Sequence, residues 1–135
     1  TCSTKKKGME GMTSGIRTGK MGEDAAKRHL ENLGYRIVQA NYRDKQGEAD
    51  IVAYDGEVLV FAEVKTRKST RYGTPGEAVN REKQRRLTRI ALSYIARHKV
   101  PYRQVRFDVV EVIIKDSEVK QVRLIKDAFD AWPGY

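Results

Sequence analysis

One short stretch, residues 47–67, contains four charged side chains that could do chemistry together: Glu48, Asp50, Glu63 and Lys65. Within each half of this stretch the charged residues are two positions apart, the spacing that places side chains on one face of a β-strand. Crowded carboxylates cannot all stay ionised without a compensating cation. Lys65 supplies part of that positive charge. A divalent metal ion would supply the rest of the positive charge, because such an ion prefers hard carboxylate oxygens.

The stretch is typical of a β-hairpin. Two runs rich in β-branched and apolar residues flank Asp55-Gly56, a dipeptide that suits a two-residue type I′ turn. Facing residues share one side of a sheet, so the acidic side chains are expected to converge. The predicted facing pairs are Tyr54 with Glu57, Asp50 with Phe61, and Glu48 with Glu63. The alternative interpretation of the acidic residues and Lys65 is a surface ladder of salt bridges.

A helix over residues 20–33 is predicted before the hairpin, because apolar side chains recur at helical spacing and Gly34 follows as a stop. The apolar stripe consists of Ala26, Leu30 and Leu33. Glu23 lies on the same stripe, which places a carboxylate on the buried face near the first turn. A residue that simply favours the helix dipole explains Glu23 as well. Residues 35–43 are then predicted to form a strand.

The polar, glycine-containing segment 68–76 predicts a loop after the hairpin, where a substrate would order it. Pro75 is predicted to open a helix that runs to about His98. Its inward row is Leu87, Ile90, Ala91, Tyr94 and Ile95. Lys83 and Gln84 come one turn before this row, within reach of the acidic face of the hairpin. A lysine in this place also commonly extends past the core to water.

Two further strands are predicted, over residues 105–114 and 119–125. The first is almost continuously apolar, which is typical of a strand buried on both faces. Arg106 and Asp108 stand at its start and are expected to pair with each other or with neighbours. Phe129 and Trp132 are expected to cover a sheet edge or the core margin.

Positive charge is concentrated directly after the acidic hairpin. The chain has a net charge of +9, and residues 65–106 alone carry thirteen Lys or Arg against two Glu, a net +11. This segregation favours a bound polyanion beside the acidic cluster, although a well-solvated basic face is the other interpretation. The predicted nucleic-acid contacts are Arg67, Lys68, Arg71, Arg81, Arg85, Arg86 and Arg89.

Length and composition indicate one domain over residues 20–135, preceded by a flexible basic tail over residues 1–19. A single cysteine, Cys2, excludes an internal disulfide and favours a reducing cytoplasm. No apolar run approaches the roughly eighteen residues of a membrane span, so no membrane association is expected. His29 and His98 are isolated and do not indicate a metal site.

Several short motifs together resemble a known family. They are GEDAA at 22–26, NYR at 41–43, GEADIVA at 47–53, FAEVKTR at 61–67, RFDVV at 106–110 and AF at 128–129. In this order they look like the YraN family, small bacterial proteins usually likened to archaeal Holliday-junction resolvases. The Asp50 and Glu63-Val64-Lys65 arrangement also resembles the PD-(D/E)xK nuclease superfamily. Glu48-Ala49 stands where that superfamily has its proline.

The resemblance implies a fold and a set of roles. The fold would be α/β, a restriction-endonuclease-like α-β-β-β-α-β core whose mixed central sheet is flanked by helices, here with an extra C-terminal edge strand. Asp50 and Glu63 would hold Mg²⁺, with Mn²⁺ as a substitute, and Lys65 would place the attacking water or stabilise charge on phosphorus. Glu23 would correspond to the acid that resolvases contribute from their first helix. Resolvases also act as dimers, which implies a homodimer.

Two functions follow from these features. One is a Mg²⁺-dependent endonuclease that hydrolyses DNA phosphodiesters, with branched or junction DNA as a candidate substrate. The other is a nucleic-acid-binding accessory protein of recombination, repair or DNA uptake that keeps the nuclease fold without turnover. The complete motif favours the enzyme.

Overall fold

Two helices and five strands make up the described part of the chain. The computed structural model describes residues 14–68, 80–102 and 104–129, with side chains from residue 19 onward. The elements in chain order are α1 (Ser14–Asn32), β1 (Arg36–Asp44), β2 (Gly47–Asp55), β3 (Val58–Arg67), α2 (Arg81–His98), β4 (Gln104–Lys115) and β5 (Glu118–Phe129). The chain is therefore an α/β protein, as predicted.

The five strands form one mixed sheet in the order β1-β2-β3-β4-β5. All neighbouring pairs are antiparallel except β3 and β4, which run parallel. A parallel pair needs a crossover, and α2 lies in that crossover. The predicted C-terminal edge strand is confirmed, because β5 lies at the edge of the sheet next to β4.

The two helices pack on opposite faces of the sheet, because strand side chains alternate between faces. On one face, Ala26 and Leu30 of α1 pack against Val60 and Ala62 of β3. On the other face, the α2 side chains Leu87, Ile90 and Tyr94 pack against Leu59 and Phe61 of the same strand. Strand β4 lies between both cores, and its residues 107–114 are all buried, as the continuous apolar run predicted.

The β2–β3 hairpin exists, but its register differs from the predicted one. Asp55 pairs with Val58, so the two-residue turn is Gly56-Glu57, with Gly56 at φ 65°. A glycine with positive φ in the first central position is typical of a type II′ turn. The predicted pairing of Tyr54 with Glu57 is wrong, since Tyr54 pairs with Leu59.

The shift moves each pair by two residues, which keeps the paired side chains of residues 51–55 and 58–62 on their predicted faces. The last backbone pair of the hairpin is Ile51 with Ala62. One residue further along the same register, Asp50 lies opposite Glu63. The predicted pairing of Asp50 with Phe61 is wrong, because Phe61 pairs with Val52. Glu48 lies beyond the last of these backbone pairs and contacts Arg43 of β1, so the predicted pairing of Glu48 with Glu63 is wrong.

The boundaries of both helices differ from the predicted ones. Helix α1 begins at Ser14, so it includes residues 14–19, which precede its predicted start at residue 20; residues 1–13 lie outside the described residues. Helix α2 begins at Arg81, because Asn80 is extended (ψ 172°) and acts as its N-cap. Pro75, the predicted start, lies outside the described residues, as does Trp132. Leu33, predicted on the buried stripe, is 53% exposed just beyond the end of α1.

Neither of the two helices in the described ranges is long and apolar enough to cross a membrane.

Candidate metal and nucleic-acid site

Asp50 and Glu63 form a carboxylate pair on the sheet face that α2 covers. Asp50 lies two positions from Val52, and Glu63 two positions from Phe61, and both of those apolar residues belong to the α2 core. Glu63 is only 4% exposed. Beyond the last backbone pair, the Val64 N–H donates to Asp50 Oδ2 at 2.8 Å. This bond fixes the Asp50 carboxylate against β3, beside Glu63.

Two lysines face the Glu63 carboxylate from different elements. Lys83 Nζ of α2 lies 3.4 Å from Glu63 Oε2, and Lys65 Nζ of β3 lies 3.9 Å from the same oxygen. The other oxygen, Glu63 Oε1, is buried and has no hydrogen-bond partner. A buried carboxylate oxygen without a partner is costly in an otherwise paired interior, and it is a position that a cation would satisfy.

Burial and mutual repulsion disfavour the charged forms of both acids. Burial, followed by repulsion from Asp50, raises the pKa of Glu63 to about 7, against the opposing effect of Lys83 and Lys65. Burial likewise raises the pKa of Asp50, although the Val64 N–H and Lys83 oppose it. The two lysines therefore compensate only part of the negative charge, which leaves room for a further positive charge at the pair.

The chemistry of the pair fits a hard divalent cation. Mg²⁺ is commonly held by one or two carboxylates, with water and substrate phosphate completing its coordination. Asp50 and Glu63 would supply those two carboxylates. Across residues 14–68, 80–102 and 104–129, no three His, Cys, Asp or Glu side chains are grouped to hold a metal, so the described residues offer a two-carboxylate site.

Glu48 does not join this pair, contrary to the prediction that three carboxylates converge. Its Oε2 lies 2.9 Å from a terminal nitrogen of Arg43 on β1, and both side chains are largely exposed. The cause is local: Glu48 pairs with Arg43 across the β1–β2 ladder, and the next pair, Tyr42 with Ala49, packs in the α2 core, so Glu48 faces the other side of the sheet. Its charge is still close enough to contribute to the raised pKa of Asp50.

Glu23 lies on α1 and contacts β1. The Asn41 side-chain amide donates to Glu23 Oε1 at 2.7 Å. Asn41 has a left-handed backbone (φ 54°) and stands between Ala40 and Tyr42, whose partners on β2 flank Asp50. Glu23 thus reaches the strand neighbour of Asp50 through the side-chain amide of Asn41.

The first turn of α2 positions Lys83 and Gln84. Asn80 Oδ1 accepts a hydrogen bond from the Lys83 N–H at 2.9 Å, and the Asn80 carbonyl accepts one from the Gln84 N–H. This N-cap fixes where the helix begins and hence how Lys83 meets Glu63. The predicted reach of Lys83 to the acidic face is confirmed. Gln84 is half-buried on the same turn.

The predicted basic contacts fall into two groups. Lys68 and the α2 residues Arg81, Arg85, Arg86 and Arg89 are exposed, with Arg86 also paired to Glu82 at 2.9 Å. Arg67 is half-buried and donates to Glu111 at 3.0 Å. Arg71 lies outside the described residues. The exposed cations start next to the Asp50–Glu63 pair, since α2 begins there.

Two buried polar clusters on β4 were not predicted in full. Glu111 is buried and bound by Arg67 and Arg123. At the other end of β4, Asp108 is fully buried and bound by Arg106 and by the Tyr35 hydroxyl, which confirms the expected pairing of Arg106 with Asp108. The available signal for Glu111 was a single charge in the middle of an apolar strand.

Fold and site together define a small α/β protein in which a mixed sheet and the start of one helix bring two buried carboxylates and two lysines together. Comparison with known sequences gives the family. Residues 22–112 match the model of Uncharacterised protein family UPF0102, and the chain belongs to this family.

Three relatives illustrate the extent of the similarity. The chain is 48% identical over 119 residues to a UPF0102 protein of Syntrophus aciditrophicus, an alignment covering 88% of this chain and 93% of the relative. It is 50% identical over 111 residues to one from Alkaliphilus metalliredigens, covering 82% and 96%. It is 52% identical over 115 residues to one from Symbiobacterium thermophilum, covering 85% and 98%. The similarity therefore extends over nearly the whole of each relative.

Proposed function

We propose that the protein is a Mg²⁺-dependent endonuclease that hydrolyses DNA phosphodiesters, with branched or junction DNA as a candidate substrate. In this proposal the sheet and α2 form a restriction-endonuclease-like core of the PD-(D/E)xK type, and the chain is of the YraN kind. The observation that carries the proposal is the buried Asp50–Glu63 pair, with one oxygen of Glu63 unpartnered and two lysines at the other.

Each residue of the pair would have a distinct role. Asp50 and Glu63 would hold Mg²⁺ or Mn²⁺, and the Val64 N–H would keep Asp50 oriented for that task. When bound, the ion would neutralise charge on the phosphate and make water more acidic. Lys65, 38% exposed, would orient the attacking water or stabilise charge developing on phosphorus.

The surrounding positive charge would bind the DNA backbone. The exposed arginines of α2 continue from the pair along one helix, and such contacts are made to phosphate irrespective of base sequence. Binding would therefore depend strongly on salt concentration and on the shape of the DNA more than its sequence.

A cleavage assay tests the proposal. Labelled linear, single-stranded and four-way-junction DNA are incubated with the protein in Mg²⁺ or Mn²⁺, and native protein is compared with Glu63→Ala and Lys65→Ala. Each substitution is expected to lower the cleavage rate by about 100-fold or more. Glu48→Ala is the matched control: because Glu48 pairs with Arg43, its loss should leave cleavage largely intact.

The second candidate is an accessory protein of recombination, repair or DNA uptake that binds DNA without cutting it. The exposed arginines of α2 support DNA binding whether or not the Asp50–Glu63 pair hydrolyses DNA. DNA binding by native protein with no cleavage in either metal would support it and overturn the endonuclease. Cleavage that both Glu63→Ala and Lys65→Ala abolish would support the endonuclease.

A further inference from the structure

Glu111 lies buried between two arginines on the face of the sheet that carries the Asp50–Glu63 pair. Arg67 Nε donates to Glu111 Oε2 at 3.0 Å, and a terminal nitrogen of Arg123 donates to Oε1 at 2.6 Å. The Glu111 side chain is 3% exposed, whereas that of Arg67 is 21% and that of Arg123 44% exposed. The carboxylate is thus covered by guanidinium groups that themselves reach solvent.

This arrangement is an expensive way to hold strands together. Removing charges from water costs several kcal/mol per ion, and replacing a buried ion triad by apolar residues is often neutral or stabilising. Glu111 interrupts the apolar run of residues 109–114, and its neighbours on the same face, Val109 and Ile113, are apolar and buried. The triad keeps one net positive charge and orients two planar guanidinium groups, the geometry that recognises phosphate.

The triad is adjacent to the candidate metal site. Glu111 pairs with Lys65 on β3 and with Arg123 on β5, so Lys65, Glu111 and Arg123 form one row across three strands. Neighbouring strands are about 4.8 Å apart, which puts Arg123 roughly 10 Å from Lys65 across the sheet. The phosphates of a DNA strand are spaced closely enough that a second phosphate of the same strand falls within this distance.

We propose that Arg67 and Arg123, oriented by Glu111, form a clamp for a second backbone phosphate of the strand that the Asp50–Glu63 pair engages. The inference rests on the proposed nucleic-acid ligand and adds a second point of attachment for it. Two fixed points on one strand define the direction in which that strand lies across the sheet. Arg123 contributes from the C-terminal edge strand, a place outside the basic segment 65–106.

The test measures binding without cleavage. A fluorescein-labelled duplex and a labelled four-way junction are titrated in EDTA with native full-length protein, Arg123→Gln and Arg123→Lys, across a series of salt concentrations. Arg123→Gln is expected to weaken binding about fivefold or more and to reduce the slope of log affinity against log salt by about one. Arg123→Lys should restore the slope and only part of the affinity, because lysine keeps the charge but not the planar fork.

Lys120→Gln is the matched control, since Lys120 is on the same strand and pairs only with exposed Glu118 in the described contacts. The affinity of Lys120→Gln for either DNA should differ from that of native protein by less than about twofold. The clamp is overturned if Arg123→Gln lowers the melting temperature while affinity and salt slope stay native, because that result assigns the triad to strand packing. Loss of binding in Arg123→Gln together with no cleavage by native protein would keep the clamp and refute the endonuclease.

Discussion

Lys83 approaches Glu63 more closely than Lys65 does, although Lys65 lies on the same strand as Glu63. The distances to Glu63 Oε2 are 3.4 Å and 3.9 Å. The nearer cation thus comes from α2, at the point where Asn80 caps the helix. Helix α2 therefore closes the carboxylate pair as well as covering the core.

Replacing Lys83 by Met should destabilise the metal-free protein above neutral pH. The substitution removes the nearer of two cations from a buried carboxylate, at an expected cost of about 1 to 3 kcal/mol. Mg²⁺ should then raise the melting temperature of Lys83→Met more than that of native protein, because more negative charge is left for the ion to neutralise. Differential scanning fluorimetry with and without Mg²⁺ measures both effects. Equal Mg²⁺ shifts in the two proteins would contradict this role of Lys83.

Glu63 makes the stability of the metal-free protein depend on pH. Its pKa is raised from 4.5 to about 7, so the folded chain binds the proton more tightly than the unfolded chain. The stabilisation is therefore fully present below pH 4.5 and is lost as the pH rises through about 7. Glu63→Gln cannot ionise, and at about pH 8 it should be more stable than native protein by on the order of 2 to 3 kcal/mol.

Urea unfolding in EDTA checks this prediction at about pH 5 and about pH 8, where the difference between Glu63→Gln and native protein should grow with pH. Glu31→Gln, at an exposed position of α1, serves as the control for the same substitution outside the site. A constant difference for Glu63→Gln would mean that Glu63 ionises as readily in the folded chain as in the unfolded one.

Gly22 allows α1 to approach β3 closely. A Cβ added there would overlap the Thr66 methyl group, whereas a Cβ at Gly19 would meet nothing. Gly22→Ala should therefore destabilise the protein by about 1 to 2 kcal/mol despite the better helix propensity of alanine. Gly19→Ala, the matched control, should stabilise it by up to about 1 kcal/mol. Thr66→Ser removes the methyl group and should rescue Gly22→Ala in thermal unfolding; lack of rescue would place the strain elsewhere.

Arg106 neutralises the fully buried Asp108. It contacts Asp108 at 2.9 Å and also bonds Asp55 and the Tyr35 hydroxyl. Arg106→Met leaves a buried charge without its cation and should cost about 3 to 5 kcal/mol in urea unfolding. Adding Asp108→Asn should recover part of that loss, because the uncompensated charge is removed. If the two losses simply add, the pair is not coupled as the contacts indicate.

The shared face of Asp50, Glu63 and Lys65 was predictable, while the partner of each residue across the hairpin was not. Side chains alternate with a period of two, so the predicted register, two residues out, still put Asp50, Glu63 and Lys65 on the same side. The turn residues depended on a choice between Asp55-Gly56 and Gly56-Glu57, both of which contain the glycine that the turn needs. Local sequence does not distinguish them, because the β3–β4 ladder also constrains the strand.

The sequence pattern does not predict which of several possible partners a charged side chain binds. Glu48 is two positions from Asp50, but Ala49 between them packs in the α2 core, so Glu48 faces the other side of the sheet and binds Arg43. The start of α2 likewise depends on the side-chain amide of Asn80, which caps the helix. Pro75 is an earlier start signal in the sequence, and the prediction followed it. Glu111 was missed because apolar neighbours dominated the periodicity of β4.

The parallel pairing of β3 with β4 implies an order of assembly. Asp50 and Glu63 belong to a hairpin closed by a two-residue turn, so their contact forms between chain neighbours early in folding. Lys83, Glu111 and Arg123 arrive only when the long crossover has closed and β4 and β5 have joined, a slower step that carries a larger loop entropy. The acidic half of the site should thus precede its cationic half during refolding, and amide exchange should report protection in the β2–β3 hairpin first.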